Sequence, residues 1–203
     1  MSWVARLFGP AVELPEDLTT RLAAWRGLVE DSEQVALADA KLVVVDVETS
    51  GLDARRDRVL AIGACALRHE RLLAGAGFER IVYQAEATSK ENILVHGIAP
   101  GEQASGLPAE HALLDFLEFA SKHVLVAYHA WFDRTMLDRA TREVLGVRLP
   151  HRWLDLAHLA PALYPEARLP RASVLMTGCR ASTFTYAPGI ALWMTYWPPA
   201  SCC

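Results

Sequence analysis

The stretch Val43-Val44-Val45-Asp46-Val47-Glu48-Thr49-Ser50-Gly51-Leu52 sets a β-branched apolar run against two acids one residue apart. Leu42 to Val45 reads as a buried strand, because such a run bounded by a turn residue like Gly51 suits a pleated sheet. Strand side chains at i and i+2 share a face, so Asp46 and Glu48 converge on one point. Uncompensated carboxylates in such a place are costly, and a cation must offset them. Hard divalent ions prefer oxygen donors of this kind. Taken alone, the pair also fits a strand running into a solvated turn. His123 to Ala127 is another apolar strand, and Asp133 follows it at the start of a helical pattern. Two strand ends therefore present three acids, although an acid in a first helical turn is also favoured by the helix dipole without any metal.

Working outward, Arg58 to Leu67 and Phe78 to Gln84 are further strand-like runs, with Gly75 to Gly77 between them, which predicts a three-strand meander. Pro108 to Ser121 has helical periodicity at Ala112, Leu113, Phe116, Leu117 and Ala120. A helix from about Phe132 to Leu145 closes at Gly146, and Trp153 to Leu163 reads as one more helix. Pro15 to Leu37 shows helical spacing at Leu18, Leu22, Trp25 and Leu28. The order βββαβα predicts an α/β fold, a mixed sheet flanked by helices. The chain divides into a helical extension over 1–40, a main domain over 41–170 and a tail over 171–203.

With 203 residues, 20 Lys+Arg and 24 Asp+Glu, the chain carries a net charge of −4. That balance excludes holding nucleic acid by counterion release alone, so an anionic substrate has to be captured locally. The four cysteines show no metal spacing, and no apolar run is long enough to span a bilayer, so the expectation is a cytoplasmic protein with no membrane partner. Arg55, Arg56 and Arg58 follow the first acids closely and could meet phosphates, but a solvated turn is the better reading for any one of them, and they are left out of the site. Asp155 and His158, three apart, read as a helix-capping Asp with a surface His.

The segments D-V-E-T-S-G-L (46–52), R-D-R-V-L-A-I-G (56–63), H-G-I (96–98) and H-A-W-F-D (129–133) resemble the DEDD 3′-to-5′ exonuclease superfamily, of the DEDDh type, whose members include the proofreading epsilon subunit of bacterial DNA polymerase III. The resemblance implies a ribonuclease H-like fold. It makes Asp46, Glu48 and Asp133 catalytic ligands of Mg2+ or Mn2+ and Thr49 the contact to the terminal nucleotide. It also implies a substrate of single-stranded or frayed 3′ ends and a DNA polymerase as a partner. In such sites two cations activate a water and stabilise the leaving oxygen, which asks for four acids. The family's common H-N-A-x-F-D is here Tyr128-His129-Ala130-Trp131-Phe132-Asp133. Its third motif, H-x-A-x-x-D, which supplies the fourth ligand and a general base, is absent, so the second metal lacks its full ligand set.

The tail explains that absence. Only Arg180 is charged among the 30 residues from Val174 to Cys203. Because Met and Trp have single codons, part of the coding DNA follows from the protein. Read one nucleotide earlier, Met176-Thr177, Trp193-Met194 and Met194-Thr195 must each yield Asp, and Tyr196 to Pro198 must yield Leu-Ala. With permitted third bases the shifted frame spells H-R-A-L-D-D-V-L-A, which fits the missing motif, while the opposite shift meets forced stop codons. The expectation is a one-base deletion near codons 171–174 that leaves the tail out of frame. Two functions follow: an active 3′-to-5′ exonuclease, or a catalytically dead remnant that still binds nucleic acid.

Overall fold

The computed structural model describes residues 12–31, 35–36, 39–69 and 71–163. Helix α1 (Glu16–Arg26) precedes three strands, β1 (Leu42–Thr49), β2 (Val59–Arg68) and β3 (Arg71–Ile81). Three helices follow, α2 (Lys90–His96), α3 (Pro100–Ala104) and α4 (Ala109–Ala120). The described chain closes with β4 (Val124–Ala127), α5 (Trp131–Leu145), β5 (Trp153–Asp155) and α6 (Leu156–Leu163).

The five strands form one sheet in the order β3-β2-β1-β4-β5. The first three pair antiparallel, as a meander does, whereas β1–β4 and β4–β5 are parallel. The expected mixed sheet flanked by helices is therefore what the chain builds.

Alternation along β1 divides its side chains. Val43, Val45 and Val47 enter the main core with Phe116 and Leu117 of α4 and Met136 and Leu137 of α5. Leu42 and Val44 face the other way, into a small cluster with Val126. Asp46 and Glu48 continue that second row, so the apolar row that begins the strand ends in the two acids. Opposite them on β2 stand Gly63 and Ala61, the smallest possible neighbours. The ladder is irregular where Glu48 gives way to Thr49: Glu48 pairs with Ala61 and Thr49 with Val59, so Leu60 is extra. A bulge of this kind bends the strand and re-aims the side chains beside it.

Four expectations about elements need correction. Trp153–Asp155 is a strand, because its register with Leu125–Ala127 satisfies backbone groups that a helix would have to leave beside an open sheet edge. Helix α6 starts only at Leu156, and Asp155 caps it by accepting the Ala157 N–H at 2.9 Å. Gly75 to Gly77 is no break: both glycines lie inside β3, Gly77 opposite Cys65 where the ladder shifts, and the chain reverses near His69, which takes φ 47°. Helix α1 stops at Arg26, short of Leu37, where Gly27 ends it. Its Leu18, Leu22 and Trp25 are buried in the main core, while Leu28 lies outside and is exposed. Helices α2 and α3 add structure where none was expected; α2 is bounded by a Ser89 N-cap and by Gly97 in the left-handed region, φ 75°. The proposed frame change falls at residues 171–174, outside the described residues.

Candidate active site

Three parallel strands, β1, β4 and β5, all run toward the same edge of the sheet, and each has an acid at or just beyond its C-terminal end. Sites in α/β sheets lie at that edge because loops there converge while the strands hold them rigidly. Strand β1 contributes Asp46 and Glu48, β4 leads through a turn to Asp133 in the first turn of α5, and β5 ends in Asp155.

Asp133 is buried, 5% exposed, and its Oδ1 accepts the Val47 N–H at 3.2 Å. That bond ties α5 to β1 between the two strand acids. Burial pushes the Asp133 carboxyl up to about 7, with the charges of Asp46 and Asp155 adding to the rise against the backbone hydrogen bonds. Glu48 is likewise pushed up to about 7, first by burial and then by Asp46. Asp46 presents its tip to solvent, yet protein atoms crowd the recess around it and desolvation raises its carboxyl as well. Asp46 is thus the hub, its negative charge felt by both other acids. No Lys or Arg pairs with any of the three among the described residues. Nor, among the described residues, are three His, Cys, Asp or Glu side chains drawn close enough to form a ready-made metal cluster.

Thr49 turns inward on its own loop, its Oγ1 donating to the Gly51 carbonyl at 2.7 Å. The following loop is laced by Asp57, whose carboxylate accepts from Ser50 Oγ at 2.9 Å and from the Asp53 N–H at 2.7 Å. Gly51 leaves room for that carboxylate: a Cβ there would sit 2.5 Å from Asp57 Oδ2 and would push it aside. Arg139 of α5 donates to the Asp57 carbonyl and so pins this loop to the helix that carries Asp133.

Asp155 belongs at this edge although its sequence context placed it outside the site. Its Oδ1 accepts the His129 N–H at 3.0 Å as well as the Ala157 N–H, so it fixes the turn from which α5 departs. Its signal is an acid ending a third apolar strand, masked because Trp153–Leu163 reads as one helix. His158 lies 3.3 Å from Asp155 Oδ2 with its side chain 85% exposed, in keeping with the capping and surface reading of the pair. His96 is committed elsewhere: Nδ1 accepts the Ile98 N–H and Nε2 faces Thr88 Oγ1 at 3.1 Å, which closes the 96–98 turn.

An antiparallel β3-β2-β1 meander continued by parallel β4 and β5, with acids at the parallel ends and helices packed against it, defines a ribonuclease H-like protein. The sequence matches the RNase T exonuclease family over residues 43–183, and the chain belongs to that family. It is 28% identical over 138 residues to the PolC-type DNA polymerase III of Thermotoga maritima, a match that takes in 68% of this chain and 10% of that protein. The PolC-type enzyme of Caldanaerobacter subterraneus is 29% identical over 136 residues, 67% of this chain and again 10% of the relative. The chain thus spans about a tenth of the length of these relatives. Among solved structures, E. coli exonuclease I in complex with a dA16 oligonucleotide superposes with a TM-score of 0.54 at 16% identity, covering 62% of this chain and 30% of that one. The zinc-bound form of the E. coli exonuclease I–single-stranded DNA complex gives 0.55 at 16% identity, covering 67% and 32%. At that identity the likeness is one of fold.

Proposed function

We propose that this chain is a metal-dependent 3′-to-5′ exonuclease that shortens nucleic acids, DNA first among them, from single-stranded or frayed 3′ ends. The observation that carries the reading is a set of carboxylates brought to one sheet edge, with the protons of Glu48 and Asp133 held to about 7 by burial and no cationic side chain among the described residues to compensate them. Folding tolerates such charge when an ion removes it. The donor set fits Mg2+ or Mn2+, hard cations that take carboxylate oxygens, and Asp46, Glu48 and Asp133 would hold it. When bound, such a cation activates water and stabilises the leaving 3′-oxygen.

The chain's own residues do the rest. Asp155 and Arg139 hold the turn before α5 and the loop after β1, so that the acids from the two segments keep their relation. Thr49, at the end of β1, meets the terminal nucleotide. PolC-type DNA polymerase III among the relatives supports a polymerase as partner and, with it, a cytoplasmic setting. Among the described residues no helix is long and apolar enough to cross a membrane.

A second reading has its own support. The third family motif is missing from the sequence, and the three acids do not form a ready-made metal cluster, which favours a remnant that binds nucleic-acid ends without turnover. Loss of a general base alone costs about 10² to 10⁴ in rate. A gel assay of an end-labelled single-stranded oligonucleotide separates the two. Shortening with Mn2+ that stops in EDTA and in Asp46→Ala marks an exonuclease, whereas an intact oligonucleotide at enzyme excess marks the remnant. Resequencing the gene across codons 171–174 on both strands tests the frame change, and an intact frame refutes it.

A further inference from the structure

One cavity among the described residues lies away from the acids. It is an open groove of about 540 Å3 along the outer face of α5, walled on the far side by the loop at Ala54 and Arg55. Trp131 stands at its head, 70% exposed, two residues before buried Asp133. Arg134 and Arg142 continue along the same helical face, and Arg139 forms the floor where it pins the loop through the Asp57 carbonyl. Against the four arginines the groove has two acids, Asp138, which pairs with Arg142 at 2.7 Å, and Glu143, 3.8 Å from Arg139. Arg55 and Arg134 are exposed, and among the described residues no carboxylate pairs with either side chain. A surplus of two positive charges is thus concentrated on one face of a chain whose net charge is −4.

We propose that this groove is a binding site for the single-stranded nucleic acid upstream of the 3′ end, a reading that rests on the proposed exonuclease function. Trp131 offers a flat, solvent-facing ring on which a base stacks, and Arg55 and Arg134 meet the phosphates on either side of it. Charge selects a polyanion, the aromatic ring selects unpaired bases, and the head of the groove lies at the start of α5, two residues along the chain from Asp133, whose side chain turns to the buried side of the same helix. From Trp131 to Arg142 the helix rises about 16 Å, a length that accommodates a few nucleotides. The local capture that a net-negative protein requires is thereby placed next to the acids and apart from them.

The test is fluorescence anisotropy of a fluorescein-labelled oligothymidylate of about twelve nucleotides, titrated with the full chain in EDTA over a range of NaCl concentrations. Trp131→Ala should weaken binding about ten-fold, and Trp131→Phe should keep most of it. The double variant Arg55→Gln/Arg134→Gln should lower the slope of log affinity against log salt by about 1.4, that is, about 0.7 for each phosphate left without its arginine. These side chains are exposed, so each variant should melt like its parent by circular dichroism. Affinity and salt slope unchanged in both variants would overturn the groove, as would failure of the parent chain to bind the oligonucleotide. Because EDTA removes hydrolysis from the readout, an inactive chain that still loses binding in these variants upholds the groove, and an active chain whose binding they leave unchanged refutes it alone.

Discussion

His129 takes φ 59°, left-handed geometry that costs a side-chain-bearing residue about 1 to 3 kcal/mol. The position is held from both sides: its N–H is accepted by Asp155, and its ring meets that of Tyr128 edge-on at 4.7 Å. Asparagine enters this region more readily than most residues, because its short amide can bond locally. The related family pattern has Asn at this place, so the strain belongs to the particular residue here and the turn itself is sound. His129→Asn should therefore stabilise the protein by about 0.5 to 1 kcal/mol while keeping the bond to Asp155. The urea midpoint reads this directly, and a midpoint at or below that of the parent would remove strain as the account of His129.

At the level of elements, the chain is fixed most tightly where backbones approach one another. Gly106 sits where Leu107 bridges Val82, with Tyr83 N donating to Leu107 O at 2.7 Å and Leu107 N to Ile81 O at 2.9 Å. A Cβ at 106 would lie 2.7 Å from Tyr83 N and 2.8 Å from the Val82 carbonyl carbon, both rigid backbone. Gly106→Ala should thus cost about 1 to 3 kcal/mol as the bridge opens, seen as a lowered denaturant midpoint with an unchanged slope. The same close packing decides what sequence can foretell. The β1 acids, the helix over Ala109–Ala120 and the stop at Gly146, φ 65°, are legible because periodicity and capping are local. Strand β5 is not, since three residues carry no period and only their pairing with β4 makes them a strand. Gly75 and Gly77 mislead for a related reason: glycine signals a turn in isolation, but here it occupies an edge beside a ladder shift. Of the site, the acids are legible from their setting in two strands, whereas the grip of Asp155 on the His129 turn depends on a strand that local pattern conceals.

Across the whole molecule, buried ionisable groups make stability depend on pH in two opposing ways. Glu48 and Asp133 have folded values raised to about 7, so their favourable contribution is complete near pH 4 and is lost as pH rises through 7. His151, 6% exposed, has its folded value lowered to about 4 by burial, so its contribution is complete above about 6.5 and is lost as pH falls toward 4. Shifts of this size correspond to roughly 3 to 4 kcal/mol each. Below about pH 6.5 the single histidine offsets about half of the effect of the two acids, and above it the acids alone act. In EDTA the Tm should fall between about pH 6.5 and 8, and MnCl2 should raise it more at about pH 8 than at about pH 6 because cation and proton compete for the same oxygens. Asp133→Asn should flatten the decline in EDTA and blunt the response to manganese. A Tm in EDTA that stays level across that range would contradict the raised values.

Strand β3 runs eleven residues along one border of the sheet with β2 as its only full-length neighbour among the described residues, and much of it is exposed. The opposite border, β5, is three residues long. A border of β3's length invites a second copy to zip alongside, and the charged Arg71 and Glu79, exposed near its two ends, are what discourages it. Concentrated stocks should consequently be most prone to clumping where salt masks those charges, a hazard that follows from sheet layout and is indifferent to the chemistry at the far end of the strands.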